Sequence, residues 1–475
     1  MSAYDPKSPD ANAFISDEEI QESLALAAAE ARDPARVRAI LDKAADYRGL
    51  SHREAAVLLE VQDPEILEQV YALARRIKEH IYGRRIVMFA PLYLSDHCVN
   101  RCSYCGYNHD NLVHRHRLSM EELADEVRVL ESMGNKRLAL EAGEDPVNCP
   151  LEYILECIQT IYGLKFDNGS IRRVNINIAA TTVDDYRRLK DAGIGTYILF
   201  QETYHKPTYL QVHKGGPKRN YEWHTEAHDR AQVAGIDDVG LGVLYGLYDW
   251  KYDTLGLLMH AEHLEAFCGV GPHTLSVPRI RAAEGVCAKN FPYLVSDPDF
   301  KRIVAVLRLA VPYTGMILST REPQGYRDEV IAVGISQVSA GSCTGVGGYA
   351  HTNKLGFEDI VPQFQPEDHR SPSQMLRDLL KDGYIPSYCT ACYREGRTGD
   401  RFMRLAKTGQ IANVCQPNAM LTLQEYVEDY GTPELRQEAE AVIARELATI
   451  PNPKAKAAAE AYLARIKAGE RDLRF

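Results

Sequence analysis

Three cysteines, Cys98, Cys102 and Cys105, fall within the stretch DHCVNRCSYCGYNHD, and a second trio, Cys389, Cys392 and Cys415, lies toward the other end of the chain. The spacings are C-x3-C-x2-C and C-x2-C-x22-C, and thiolates gathered this closely bind metals. A structural zinc site is closed by four ligands. The first trio has no fourth cysteine nearby, so His97 or His109 would have to complete it. Three thiolates suit instead a 4Fe–4S cluster that keeps one iron open to a small molecule. The second trio also lacks a fourth ligand, and its C-x2-C alone is compatible with zinc or with redox chemistry.

Bulk properties narrow the setting. The chain has 475 residues, 45% of them apolar, and a net charge of −11 with no basic block, so no nucleic-acid partner is expected. No basic, then apolar, leader opens the sequence and no long apolar run interrupts it, which argues against export and membrane association. The cytoplasm is the expected compartment, where eleven cysteines serve as thiols or ligands rather than as disulfides.

The elements that must position these thiols can be read from periodicity. Residues 1–84 are expected to form a helical N-terminal extension; in DPEILEQVYALARRIKEHI, Asp63 can cap, Pro64 suits the first turn, and Ile66, Val70, Leu73 and Ile77 recur at helical spacing. From Arg85 short β-rich runs alternate with amphipathic helices. The strand candidates are RIVMFAP, RLALEAG, RRVNINIA, TYILFQET, VGLGVLYG, HTLSVPRI, MILSTRE and ISQVSAGS. Eight such units over 85–350 predict a (β/α)8 TIM barrel, whose active face is built from loops at the C-terminal ends of the strands. Residues 351–475 are expected to form a C-terminal helical domain carrying the second trio.

C-x3-C-x2-C directly after the first strand of a (β/α)8 barrel resembles the radical S-adenosylmethionine superfamily, with Tyr104 at the aromatic place between the last two cysteines. The resemblance implies a 4Fe–4S cluster on Cys98, Cys102 and Cys105 whose open iron chelates S-adenosyl-L-methionine and yields a 5′-deoxyadenosyl radical. Ala142, Gly143 and Glu144 resemble the Gly-Gly-Glu segment that binds the methionine amino group, with alanine at the first position. At the end of the fourth strand Gln201, Glu202 and Tyr204 are expected to converge on the same rim. With the second trio added, the chain resembles the HydG family, the radical S-adenosylmethionine tyrosine lyases of iron-iron hydrogenase maturation. ThiH-type 2-iminoacetate synthases share the QETYH segment but lack the C-terminal cysteines.

What that family implies is cleavage of the Cα–Cβ bond of L-tyrosine to p-cresol and dehydroglycine. Carbon monoxide and cyanide then form and are captured at iron on a second 4Fe–4S cluster, through a cysteine-type ligand, for the hydrogenase H-cluster. An electron donor and other maturation proteins are the implied partners. Arg279 and Arg321, closing the sixth and seventh strands, are the candidates for the tyrosine carboxylate, though either could equally hold S-adenosylmethionine, with Ser319, Ser339 and Ser342 near the same rim. Extra iron at the second cluster would want a nitrogen donor. His260 and His263 sit on a helix, whereas His273 opens the sixth strand at the end opposite the active face, and His273 is the expected ligand. Two other readings remain: a 2-iminoacetate synthase that stops at dehydroglycine, and a non-catalytic iron–sulfur carrier, which leaves the rim residues without a role.

Overall fold

The structure, a computed structural model, describes residues 4–350 and 360–475; the first residues of the expected C-terminal domain, 351–359, lie outside it. Each of the eight candidate runs contains a strand: β1 Arg85–Ser95, β2 Arg137–Ala142, β3 Arg173–Asn177, β4 Tyr197–Ile198, β5 Val239–Gly242, β6 Thr274–Ser276, β7 Gly315–Leu318 and β8 Gln337–Ser339. All pair in parallel in sequence order, and β1 closes the ring through β2 and β8. This is the (β/α)8 barrel that the alternation predicts.

The connecting helices form where their caps are. The helix Met120–Ser132 starts on a capping box, Ser119 with Glu122, and the chain leaves it through Gly134 at φ +91°. The helix Pro64–Tyr82 starts on Asp63, whose carboxylate accepts from the Glu65 and Ile66 amides, and buries Val70, Leu73 and Ile77. The N-terminal extension is not a separate body. Its helices Asp17–Glu30 and His52–Glu60 dock on the barrel helix Trp250–Phe267, where His52 bridges Glu19 (2.9 Å) and Glu262 (2.8 Å). One apolar core runs from Ala11 to Ile466, with a smaller separate cluster of Cys102, Tyr104, Val212, Leu244, Leu247 and Ile280.

Sequence periodicity misses a ninth strand, β9 Ile385–Ser387, which pairs in parallel with β1 at Arg85–Val87. Three residues with a central proline carry no alternation to detect. Its position matters, because it delivers Cys389 and Cys392 beneath the barrel. The helix Ala412–Tyr430 follows, with Cys415 in its first turn and Pro417 inside it, a residue that removes an intrahelical hydrogen bond and hides the helix from a periodicity reading.

Candidate active site and second thiol site

Side chains alternate across a strand, and in this barrel the inward positions build a stack of three cavities. The upper one, at the C-terminal mouth, is lined by Cys98, Cys102, Cys105, Tyr104, Ala142, Gly143, Glu144, Glu202 and Arg321, together with Asn100, Glu141, Asn177 and Lys218. It opens into a middle chamber with which it shares Glu141, Asn177, Phe200, Arg321 and Gln363, and whose walls include Phe89, Pro91, Tyr93, Ile198, Ile317, Ser319, Ser339, Ser342 and Phe364. The lower cavity lies at the opposite end, with Arg85, Val87, Arg137, His273, Cys389, Cys392 and Tyr393 in its wall.

At the mouth, burial governs the thiols. It raises Cys98 and Cys102 and pushes Cys105 up to about 12, so without a metal cation among them all three would stay protonated. Among the described residues no group of three His, Cys, Asp or Glu side chains converges on one metal ion; the three thiols share the wall of the upper cavity, and three thiolates suit an iron–sulfur cluster with one iron left open. The loop beside them leaves no room for a side chain at Gly143, where a Cβ would stand 2.3 Å from the His97 carbonyl oxygen and 3.1 Å from the Cys98 Cβ. Glu144 accepts from Asn100 Nδ2 at 2.5 Å, and burial raises its pKa. Tyr104 Oη lies 2.7 Å from His213 Nε2.

Glu202 reaches the cavity through a left-handed backbone, φ +70°, a conformation that costs a non-glycine residue energy and persists only where neighbours enforce it. Asp253 does so by accepting from the Tyr204 amide (2.7 Å) and the Thr203 hydroxyl (2.9 Å). Lys218 then pairs with Glu202 at 2.7 Å. Arg321 is enclosed, lies 3.4 Å from the Phe364 ring centroid, and is lowered to about 10 by burial. Facing the same space, Glu141 is raised to about 8 by burial, against the hydrogen bond from Asn177 and the charge of Arg321.

Three expected rim residues do not line any of these cavities. Gln201 follows inward-facing Phe200, so it points outward and donates to Thr225 Oγ1 at 2.9 Å. Tyr204 lies beyond the Glu202 turn and packs on the helix Trp250–Phe267, its hydroxyl 3.0 Å from His260 Nδ1. Arg279 comes after inward-facing Pro278; its guanidinium grips Glu322 and Asp297 (2.8 Å) between the rings of Phe300 and Tyr326. Conversely, Glu141, Asn177, Lys218 and Gln363 went unread. The signal for Glu141 was present in RLALEAG, since a charged residue at an inward strand position needs a reason.

In the lower cavity His273 shares the wall with Cys389 and Cys392. Its Nε2 is 3.3 Å from Tyr393 Oη and its Nδ1 3.4 Å from Asp238, without a hydrogen bond. Cys415 is 3% exposed. Cys392 is lowered to about 6 by the hydrogen bond from the Cys415 thiol and then by Arg397, while Cys415 rises in exchange. Burial raises Cys389 as well, so of the three only Cys392 is favoured as a thiolate; a trio so enclosed suits a second cluster whose metal would hold the other two deprotonated. His260 and His263 are buried among the barrel helices, away from it.

Thiols in this spacing at the mouth of a closed parallel barrel define the class, a radical S-adenosylmethionine enzyme, and residues 92–260 match the radical SAM superfamily. Residues 276–385 match the biotin and thiamin synthesis associated domain. The 2-iminoacetate synthase of Escherichia coli (strain K12) is 30% identical over 347 residues, 73% of this chain and 89% of that protein. A crystal structure of HydG, a maturase of the FeFe-hydrogenase, superposes with a TM-score of 0.93 at 57% identity, covering 97% of this chain and 100% of that one. HydG from Carboxydothermus hydrogenoformans does so at 0.82 and 40%, covering 95% and 99%. The chain belongs to the HydG family of hydrogenase maturases.

Proposed function

We propose that the chain cleaves the Cα–Cβ bond of L-tyrosine to p-cresol and dehydroglycine and converts the latter to carbon monoxide and cyanide for the hydrogenase H-cluster. The observation that carries this reading is the stack itself: a thiol trio at each end of one barrel with a chamber between them that suits an amino acid. Arg321 has no carboxylate within ion-pair distance among the described residues, and it would take the substrate carboxylate with two parallel hydrogen bonds. Glu141 would take the ammonium. Phe89, Pro91, Ile198, Ile317 and Phe364 offer the ring an apolar wall.

Cys98, Cys102 and Cys105 would hold a 4Fe–4S cluster, with Gly143, Glu144 and Asn100 positioned for the amino end of S-adenosylmethionine. When bound, that pair supplies a 5′-deoxyadenosyl radical, given one electron from an external donor. The protein's part is to hold tyrosine below the mouth, keep Glu202 and Lys218 paired at the rim, and exclude water from the chamber. Cys389, Cys392 and Cys415 would hold the second cluster, and His273 with a cysteine-type ligand would serve extra iron there. Other maturation proteins would receive the product.

The second reading, a 2-iminoacetate synthase, is favoured by the identity to the Escherichia coli enzyme. Against it, Cys389 lies beyond both matched domains, which end at residues 260 and 385. Reconstituted protein incubated anaerobically with dithionite, S-adenosylmethionine and tyrosine separates the two. Cresol with carbon monoxide is expected, and C389A should keep the cresol while losing the carbon monoxide. Cresol and glyoxylate without carbon monoxide would establish the second reading, and absence of cresol would exclude both.

A further inference from the structure

The second trio is drawn from two segments that a third ties together. Cys389 follows directly on β9, whose pairing with β1 fixes it to the barrel. Cys392 lies on the helix Ala391–Arg394, and Cys415 belongs to the helix Ala412–Tyr430. A helix of four residues has no stability of its own, so the position of Cys392 must be set from outside. Among the described residues no hydrogen bond or ion pair runs from Arg394, Glu395 or Arg397 directly to the helix that carries Cys415. Both segments instead hold residues 471–475, a run without helix or strand.

On the Cys392 side, Arg394 grips the Asp472 carboxylate with two nitrogens at 2.5 and 2.6 Å, and Arg474 donates to Glu395 at 2.7 Å. Arg397 donates to the main-chain oxygen of Phe475. The same guanidinium faces the Cys392 sulfur, and the Arg397 amide donates to the Cys392 carbonyl at 2.7 Å. On the Cys415 side, Asn418 lies one turn beyond the thiol and is 2% exposed. It accepts from the Phe475 amide at 2.9 Å and donates to the Phe475 main-chain oxygen at 3.3 Å. Glu425 accepts from the Asp472 amide at 3.1 Å, and Arg172, at the foot of β3, stands 3.3 Å from the Asp472 carboxylate. Asp472 thus meets the barrel and both cysteine-bearing segments. It does so through left-handed backbone, φ +63°, which a non-glycine residue keeps where its neighbours enforce it. The ion pairs are partly exposed, and such pairs add little to global stability. What they fix is the separation of two segments that share one thiol site.

We propose that residues 471–475 act as a strap that sets Cys392 against Cys415, with Arg397 and Asp472 as positioning residues for the second thiol site. The inference rests on the reading above that the trio carries a cluster, and it adds to that reading side chains that act through Cys392 and not on the metal.

The test uses the full chain, reconstituted anaerobically, and its D472N, R397Q and R397K variants. Asparagine accepts left-handed backbone, so D472N removes the charge and keeps the turn. Iron and sulfide analysis with electron paramagnetic resonance follows both clusters, the first being the one that responds to S-adenosylmethionine. Under a competing iron chelator, D472N and R397Q should lose the second signal on the order of tenfold more readily than wild type. The first signal should keep its response, and D472N should form cresol within about twofold of the wild-type rate. R397K retains a charge and a donor and should lie nearer wild type. In the metal-free protein, amide hydrogen exchange over residues 391–397 should quicken in D472N while the barrel mouth stays as protected as before. Retention of the second signal within about twofold of wild type in both D472N and R397Q overturns the proposal. So does parallel loss of both signals, which assigns these residues to the fold at large. Wild-type protein with a single cluster refutes the reading of the trio before any variant is made, and the proposal with it.

Discussion

Replacing Gly143 with alanine tests the cradle at the barrel mouth. The added Cβ would sit 2.3 Å from the His97 carbonyl oxygen, about 1 Å inside ordinary van der Waals contact. Neither side can yield freely. The Gly143 amide donates to the Ser95 carbonyl at 2.9 Å, and the Val99 amide donates to the Glu144 carbonyl at 2.8 Å, so the two segments are pinned on each other. The displacement must fall on His97 and Cys98, the first thiol of the trio. Overpacking of this kind costs about 1–3 kcal/mol, which a chain with so large a core should survive. A misplacement of about 1 Å near the chemistry costs roughly 10²-fold in rate. G143A should therefore melt close to wild type, retain its iron less well, and form 5′-deoxyadenosine roughly 10²-fold more slowly. Ala142 already carries a Cβ at the neighbouring position, so A142G should stay within about twofold of wild type, since no contact forced by the fold changes there. G143A with wild-type iron content and wild-type rate would refute the steric argument.

The two rim arginines should separate cleanly. R279Q leaves Glu322, at 1% side-chain exposure, with only Arg281 (2.9 Å) as its partner; stability should fall by about 3 kcal/mol, read as a lower melting temperature. R321Q removes an enclosed cation with no acidic partner, so its melting temperature should hold while the KM for tyrosine in cresol formation rises roughly 10²-fold, the worth of a bidentate charged contact. The docking of the N-terminal extension should depend on pH through Glu19 and His52. The hydrogen bond from Arg53, aided by His52, lowers Glu19 from 4.5 to about 2, so its contribution is full above 4.5 and lost as pH falls toward 2. Burial alone would lower His52, but Glu262 and Glu19 raise it above 6.5; its contribution is full below 6.5 and lost as pH rises through the folded value. The melting-temperature difference between wild type and E19Q should be largest between about 4.5 and 6.5 and shrink in acid, and an equal difference at pH 3 and pH 6 would contradict this.

Strand parity explains which parts of the site were legible. Two expected residues kept the register of an inward neighbour and reached the cavity: Glu202 follows Phe200 by two, and Arg321 follows Ser319 by two. Gln201 and Arg279 are one residue out of that register and face away, which the alternation of their own strands already implied. Tyr204 keeps the register on paper, but the left-handed turn at Glu202 ends the strand geometry before it, and nothing in QETYH announces a backbone enforced by Asp253, 49 residues further on. Lys218 and Gln363 come from loops, where side-chain direction has no period to read. His273 could be placed beside Cys389 and Cys392 because the start of a barrel strand has a known end of the barrel. The strand that brings those cysteines there could not.

That strand has a consequence for the two sites. Among the described residues β1 is the only strand that carries both: its residues 85–87 hold β9, and with it the second trio, while residues 90–95 pair with β2 and lead into Cys98. The spacing between the lower thiols and the mouth is therefore set by the length of one strand, paired along its length save for a register shift between Tyr93 and Ser95, and not by a hinge or linker between domains. From Val87 to Ser95 that length is ~26 Å at the usual rise per residue. A paired strand neither stretches nor folds on itself, so the sites have no route to approach each other. Under the proposed function, a fragment released in the middle chamber would have to cross the layer between that chamber and the lower cavity, which share no lining residue. Phe89, facing inward on β1 between Val87 of the lower cavity and Pro91 of the chamber, is one of the side chains in that layer.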